Sequence, residues 1–120
     1  MIRVLVVDDH ELIRDTVSAE LAAAGGIEVV GRCQDGAQAV AAVEADHPDV
    51  VLMDLSMPRM DGVEATGLLL AAAPETRVVI FTSAVGGRAV RAALAAGAIS
   101  CVSKAAAMTE VIDAVRTAAG

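Results

Sequence analysis

The chain has 120 residues, 56% of them hydrophobic, with one Phe, no Tyr or Trp, and a formal net charge of −7 at pH 7. That length suits a single domain able to bury its core without a disulfide or metal staple. The acidic balance argues against direct binding to nucleic acid or an anionic membrane, both of which need Lys and Arg to neutralise phosphates.

From the N-terminus, apolar runs of about five or six residues alternate with amphipathic stretches of about ten to fifteen, the pattern of repeated βαβ units. Strands are expected near 2–7, 28–33, 49–53, 77–82 and 99–102. The first helical stripe is Leu12, Ile13, Thr16, Val17 and Leu21, closed by Gly25-Gly26. Asp35 with Gln38 three residues on resembles a capping box opening a second helix, whose stripe holds Val40 and Val43 and which Pro48 ends. Val63, Thr66, Leu69 and Leu70 form a third stripe ended by Pro74, and Val90, Ala93 and Leu94 a fourth ended by Gly97. Met108, Val111, Ile112 and Val115 form the fifth.

Val50–Met53 and Val78–Phe81 are apolar throughout, as interior strands covered on both faces must be. Right-handed crossovers then give a flavodoxin-like, doubly wound α/β domain over residues 1–120: a five-stranded parallel sheet in order 2-1-3-4-5 with five helices. Cys33 and Cys101 fall on opposite edge strands in that order, too far apart for a disulfide. No stretch reaches the ~20 apolar residues of a membrane span. Arg3 lies inside a strand pattern rather than a signal peptide, so a cytoplasmic protein without membrane contact is expected.

In an open parallel sheet all strand C-termini share one edge. That edge gathers Asp8 and Asp9 after the first strand, Asp54 after the third, Thr82 closing the fourth and Lys104 after the fifth. Taken alone, Asp8 and Asp9 could equally cap the first helix and complement its dipole. Crowded with Asp54, the carboxylates repel unless a cation is present, and a hard divalent ion such as Mg²⁺, held by one or two carboxylates and waters, fits the set. Asp54, central among them, has the properties of a phosphoryl acceptor. Thr82 would donate a hydrogen bond to a phosphoryl oxygen and Lys104 would pair with another.

The segments VVDDH at 6–10, MDLSMPRMDG at 53–62, FTS at 81–83 and Lys104 after GAISCVS resemble the receiver domain of two-component response regulators, over the whole chain. The resemblance implies phosphorylation of Asp54 by a sensor histidine kinase. It further implies direct Mg²⁺ ligation by Asp9, Asp54 and the Ser56 carbonyl, with Asp8 acting through water. Pro58 and Asp61-Gly62 would shape the loop after the acceptor. The Asp-Asp-His opening and the absence of a proline after Lys104 are more similar to the NarL/FixJ group, whose members usually continue into a DNA-binding helix-turn-helix. Any DNA contact is expected to belong to such an output domain, absent from these 120 residues. Beyond its own phosphorylation and dephosphorylation, no enzymatic activity is implied.

One position departs from the family pattern. Three residues before the lysine the family usually has Tyr or Phe, and here stands Cys101. An alternative reading is therefore a receiver-like interaction module with weakened phospho-switching. A phosphohydrolase of the haloacid dehalogenase type would place its nucleophile in an Asp-x-Asp pair after the first strand, and a flavodoxin-like mononucleotide binder would need a phosphate cradle there and an aromatic to stack. Neither pattern is present. His10 reads as a polar residue opening the first helix, with phosphate transfer or metal binding as the second possibility, His47 as solvated and Phe81 as core. The charges of Arg88, Arg91, Glu110, Asp113 and Arg116 read as solvated helix faces, with a homodimer or partner contact as the second possibility.

Overall fold

A computed structural model describes residues 1–120. Five strands, β1 (Ile2–Val7), β2 (Ile27–Cys33), β3 (Val50–Met53), β4 (Arg77–Thr82) and β5 (Ser100–Ser103), alternate with helices α1 (Glu11–Ala23), α2 (Gly36–Asp46), α3 (Gly62–Ala72), α4 (Arg88–Ala95) and α5 (Met108–Ala119). All strand pairs are parallel and the order is β2-β1-β3-β4-β5, as expected. Boundaries differ from expectation by one residue at β2, β3 and β5, the range over which strand ends fray. Asp49, for example, lies outside β3 yet its N–H donates to the Arg3 carbonyl at 2.8 Å.

Successive side chains on a strand point to opposite faces, and this splits the core in two. Leu5, Val7, Val51, Met53, Val78 and Ile80 pack on one face with Val43 of α2, Leu69 of α3 and Val90 of α4. Val4, Val6, Val50, Leu52, Val79 and Phe81 pack on the other with Val17 and Leu21 of α1 and Val111 and Val115 of α5. All four residues of β3 are buried, because helices cover both of its faces.

The helices form where their punctuation allows. Asp35 caps α2 by accepting from the Gln38 N–H at 2.8 Å. The Gln38 side chain reaches back to the Gln34 N–H at 3.0 Å, one residue before the position a capping box would use. His47, exposed, closes α2 in the left-handed region just before Pro48. The stripe expected on α1 is rotated: Ile13, Val17 and Leu21 face inward, whereas Leu12 is 79% exposed and Thr16 is also outside. A helix over one sheet edge buries a narrower arc than the run of apolar letters suggests. Leu94 of α4, also expected in the core, is exposed for the same reason.

Candidate functional site

The C-terminal edge of the sheet is built by continuing the ladder one step past each strand. Val7 and Met53 are paired in register, and the next residues, Asp8 and Asp54, stay in line: the Asp54 N–H donates to the Val7 carbonyl and the Asp8 N–H to the Cys33 carbonyl, both at 3.0 Å. Lys104 is placed the same way, its N–H donating to the Thr82 carbonyl at 3.0 Å beyond the Thr82–Ser103 pair. The backbone thus delivers three charged side chains to one place.

Strand alternation then decides which way each points. Asp8, Asp54 and Lys104 continue the α1/α5 face, and Lys104 Nζ lies 2.8 Å from Asp8 Oδ2 and 3.3 Å from Asp54 Oδ1. The Lys104 stem passes the only aromatic ring, with Nζ 5.7 Å from the Phe81 centroid. Thr82 has the opposite parity and lines a cleft of about 500 Å³ with Ser56, Met57, Asp61, Gly87 and Arg88. Its Oγ1 accepts from the Ala84 N–H at 3.3 Å, which orients the hydroxyl at the mouth of α4.

Asp8 and Asp54 are 1% and 3% exposed. Asp54 Oδ2 is buried and has no hydrogen-bond partner. Burial, and then the Asp8 charge, push the Asp54 carboxyl up to about 6, with Lys104 and the Ser56 backbone amide opposing. An ionised carboxylate with an unpartnered buried oxygen is costly. The ligand atoms of Asp8, Asp9, His10 and Asp54 all lie within 4.8 Å of one another. An oxygen-rich, net negative set of this size, with one orphaned carboxylate oxygen, fits a hard divalent cation such as Mg²⁺.

Every site residue expected from sequence reaches this edge, Ser56 through the loop after Asp54. Three further neighbours join it, and the contacts of two of them, Arg14 and Arg59, were not anticipated. His10 is more than a helix opener: its N–H donates to Asp8 Oδ1 at 2.9 Å, and its Nδ1 lies 3.1 Å from Asp9 Oδ1 and 3.3 Å from Asp8 Oδ1. Arg14, one turn on, donates to the Asp8 carbonyl at 2.8 Å. Arg59 reaches from the loop after Asp54 to Asp35, Nη2 to Oδ2 2.9 Å. Only His10 had a sequence cue, its adjacency to the acid pair; the other two contacts depend on loop geometry. Asp8 and Asp9 do not cap α1, since His10 occupies its N-cap position without a side-chain cap.

Loop closure around Asp54 relies on glycine. The Gly62 N–H donates to the Leu55 carbonyl at 3.0 Å, and a Cβ at Gly62 would collide with the Asp54 carbonyl. Asp61, just before it, caps α3 by accepting from the Glu64 N–H at 2.9 Å. Cys33 and Cys101 are free, on opposite edge strands. Cys101 pairs in register with Ile80, two residues before Thr82, and packs against the α2–α4 core.

No helix is long and apolar enough to cross a membrane. Residues 4–116 match the family model of the response regulator receiver domain. The chain is 40% identical over 118 residues to the transcriptional regulatory protein LiaR of Bacillus subtilis, covering 98% of this chain and 56% of that protein. It is 42% identical over 115 residues to the response regulator protein VraR of Staphylococcus aureus, covering 96% and 55%. The chain thus spans about half the length of these curated relatives. Among solved structures, the signal receiver domain of the putative response regulator NarL from Mycobacterium tuberculosis superposes with a TM-score of 0.93 at 36% identity, covering 98% of this chain and 95% of that one. The response regulator domain of Thermotoga maritima CheB gives 0.93 at 32%, covering 99% and 96%. Fold, strand-end motifs and relatives agree, and the chain belongs to the response regulator receiver domain family, on its NarL-like side.

Proposed function

We propose that this domain is a phosphorylation-controlled switch in which Asp54 takes a phosphoryl group from a phosphohistidine of a sensor histidine kinase. The observation that carries the reading is Asp54 itself: one oxygen held by Lys104, the other buried and unpartnered. An oxygen of the Asp54 carboxylate attacks phosphorus, the new P–O bond forms as the P–N bond breaks, and the P–N electron pair leaves on the imidazole, which departs neutral with the proton already on its other ring nitrogen. Lys104 stays on the acceptor side to pair with a transferring oxygen, and Thr82 offers its hydroxyl from the opposite parity. Asp9, Asp54 and the Ser56 carbonyl would hold Mg²⁺ directly and Asp8 through water; once bound, the ion neutralises the transferring oxygens.

LiaR and VraR are about twice as long as the region matched here. We therefore extend the reading to a transcriptional output module carried elsewhere in the same polypeptide, which supplies any DNA contact, and to a cytoplasmic setting. A homodimer through the charged α4 and α5 faces is compatible with this role. A second reading, an interaction module with weakened switching, is favoured by one observation: Cys101 stands two residues before the level of Thr82, where a thiol cannot sweep the volume of a ring.

Incubation with acetyl phosphate and Mg²⁺ should add the mass of one phosphoryl group to the wild type and none to Asp54→Asn. Equal masses in the two proteins would defeat the acceptor assignment. Phosphorylation without any change in the amide spectrum beyond the pocket would favour the second reading.

A further inference from the structure

Arg59 adopts a backbone that its residue type disfavours. Its φ of 67° lies in the left-handed region, where a Cβ is strained and glycine is the usual occupant. Nothing in the turn itself demands a long cation there. What the arginine gains is distant: its Nη2 lies 2.9 Å from Oδ2 of Asp35, whose side chain is 3% exposed. The cap on α2 uses the other oxygen, Oδ1, so the ion pair and the cap are separate bonds on one carboxylate.

Two further contacts join the same segments. The Gly36 N–H donates to the Met60 carbonyl at 3.2 Å, and a Cβ at Gly36 would stand 2.5 Å from that carbonyl, an approach only glycine permits. On its other side the Cys33 carbonyl, at the end of β2, takes the Asp8 N–H at 3.0 Å. The β2–α2 junction, from the last residue of β2 to the first of α2, therefore holds both walls of the acidic pocket. It binds Asp8 through backbone, and the acceptor loop through Gly36 and Asp35.

We propose that Arg59 is a positioning residue for the acceptor site. Its ion pair with Asp35 straps the loop of residues 55–61 to the start of α2, and so fixes the Ser56 carbonyl and the Asp54 carboxylate for cation binding and phosphoryl transfer. The proposal rests on the reading of Asp54 given above. A merely structural pair would serve α2; a positioning pair serves the loop.

Arg59→Gly separates the two, because glycine relieves the backbone while deleting the strap. Mg²⁺ affinity is measured by calorimetry, global stability by urea unfolding, and the exchange of the Gly36 and Gln38 amides by NMR on metal-free protein. The expected result is unchanged or higher stability, Mg²⁺ binding weaker by about five- to tenfold, faster exchange at Gly36, unaltered exchange at Gln38, and partial recovery in Arg59→Lys. Wild-type Mg²⁺ affinity and Gly36 exchange in the glycine variant would overturn the proposal, as would parallel loss of Gln38 protection and stability. Labelling by acetyl phosphate, with Asp54→Asn as control, keeps the two claims apart. An unlabelled wild type sinks the Asp54 reading and the strap with it, whereas a labelled wild type matched by an unaffected Arg59→Gly sinks the strap alone.

Discussion

Lys104 and Asp8, from opposite ends of the chain, meet at 2.8 Å, and the same ammonium is 3.3 Å from Asp54. One half-buried cation thus serves two buried carboxylates, and Asp54, whose carboxyl is pushed up to about 6, is the less completely satisfied of the pair. The apo pocket is short of positive charge, and most of its measurable behaviour follows from that deficit.

Removing the cation deepens the deficit. Lys104→Met is expected to destabilise the metal-free protein by about 1–3 kcal/mol at pH 7, because it leaves buried carboxylates without their partner. The loss should shrink at pH 5, where Asp54 escapes by taking a proton. Urea unfolding at the two pH values checks this, and an equal loss at both would contradict it.

Removing the Asp54 charge has the opposite sign. The Asp54 carboxyl titrates at about 6 in the folded state against an ordinary value of 3.8. Between those values the folded chain therefore holds more protons than the unfolded chain, and stability falls as pH rises from about 4 to about 6. Above about 6 the penalty is constant, and below about 4 it is absent. Asp54→Asn should accordingly stabilise the metal-free protein at pH 7 by up to about 3 kcal/mol and leave it unchanged near pH 3.5. Millimolar Mg²⁺ should raise the thermal midpoint of the wild type at pH 7 and barely move that of the variant. Thermal scans across pH, with and without the ion, test both parts.

The glycines are not equivalent. Gly62→Ala drives a methyl into the Asp54 carbonyl and the Leu55 backbone and should cost about 1–3 kcal/mol while displacing the acceptor. At Gly67, also in α3, an added Cβ would meet nothing within 4 Å, and Gly67→Ala should stabilise by about 0.5–1 kcal/mol. Denaturation midpoints that rank the two variants the other way would refute the packing argument.

The two thiols should also differ. Burial, with the charges of Asp35 and Asp46, pushes Cys33 up to about 11, and burial raises the half-buried Cys101 as well. Under native conditions at pH 8 a maleimide should modify Cys101 slowly and Cys33 only after global unfolding. Mass spectrometry of a time course reads this directly; modification of Cys33 without denaturant would show that β2 opens locally.

The fold was legible because β3 and β4 are apolar at nearly every position, and β1, β3, β4 and β5 each end in or run into a charged or hydroxyl residue, so topology alone brought Asp8, Asp54, Thr82 and Lys104 to one edge. Sequence spacing also located the cap Asp35, whereas Asp61, read as part of the loop after Asp54, proves to be the cap of α3. It did not reveal that Lys104 engages Asp8 more closely than Asp54, since that turns on the parity of the ladder and the angle of a long side chain. Nor did it reveal Arg59 on Asp35, which needs a left-handed turn to aim the guanidinium. The misplacement of Leu12 has a related origin: an apolar letter at helical spacing does not say which arc the sheet edge will cover.

The acidic pocket draws on the tips of β1, β3 and β5, and the Lys104 amide is fixed by β4. No local fragment of the chain contains it. A copy truncated before β5 would lack Lys104, and with it the cation that the two buried carboxylates share.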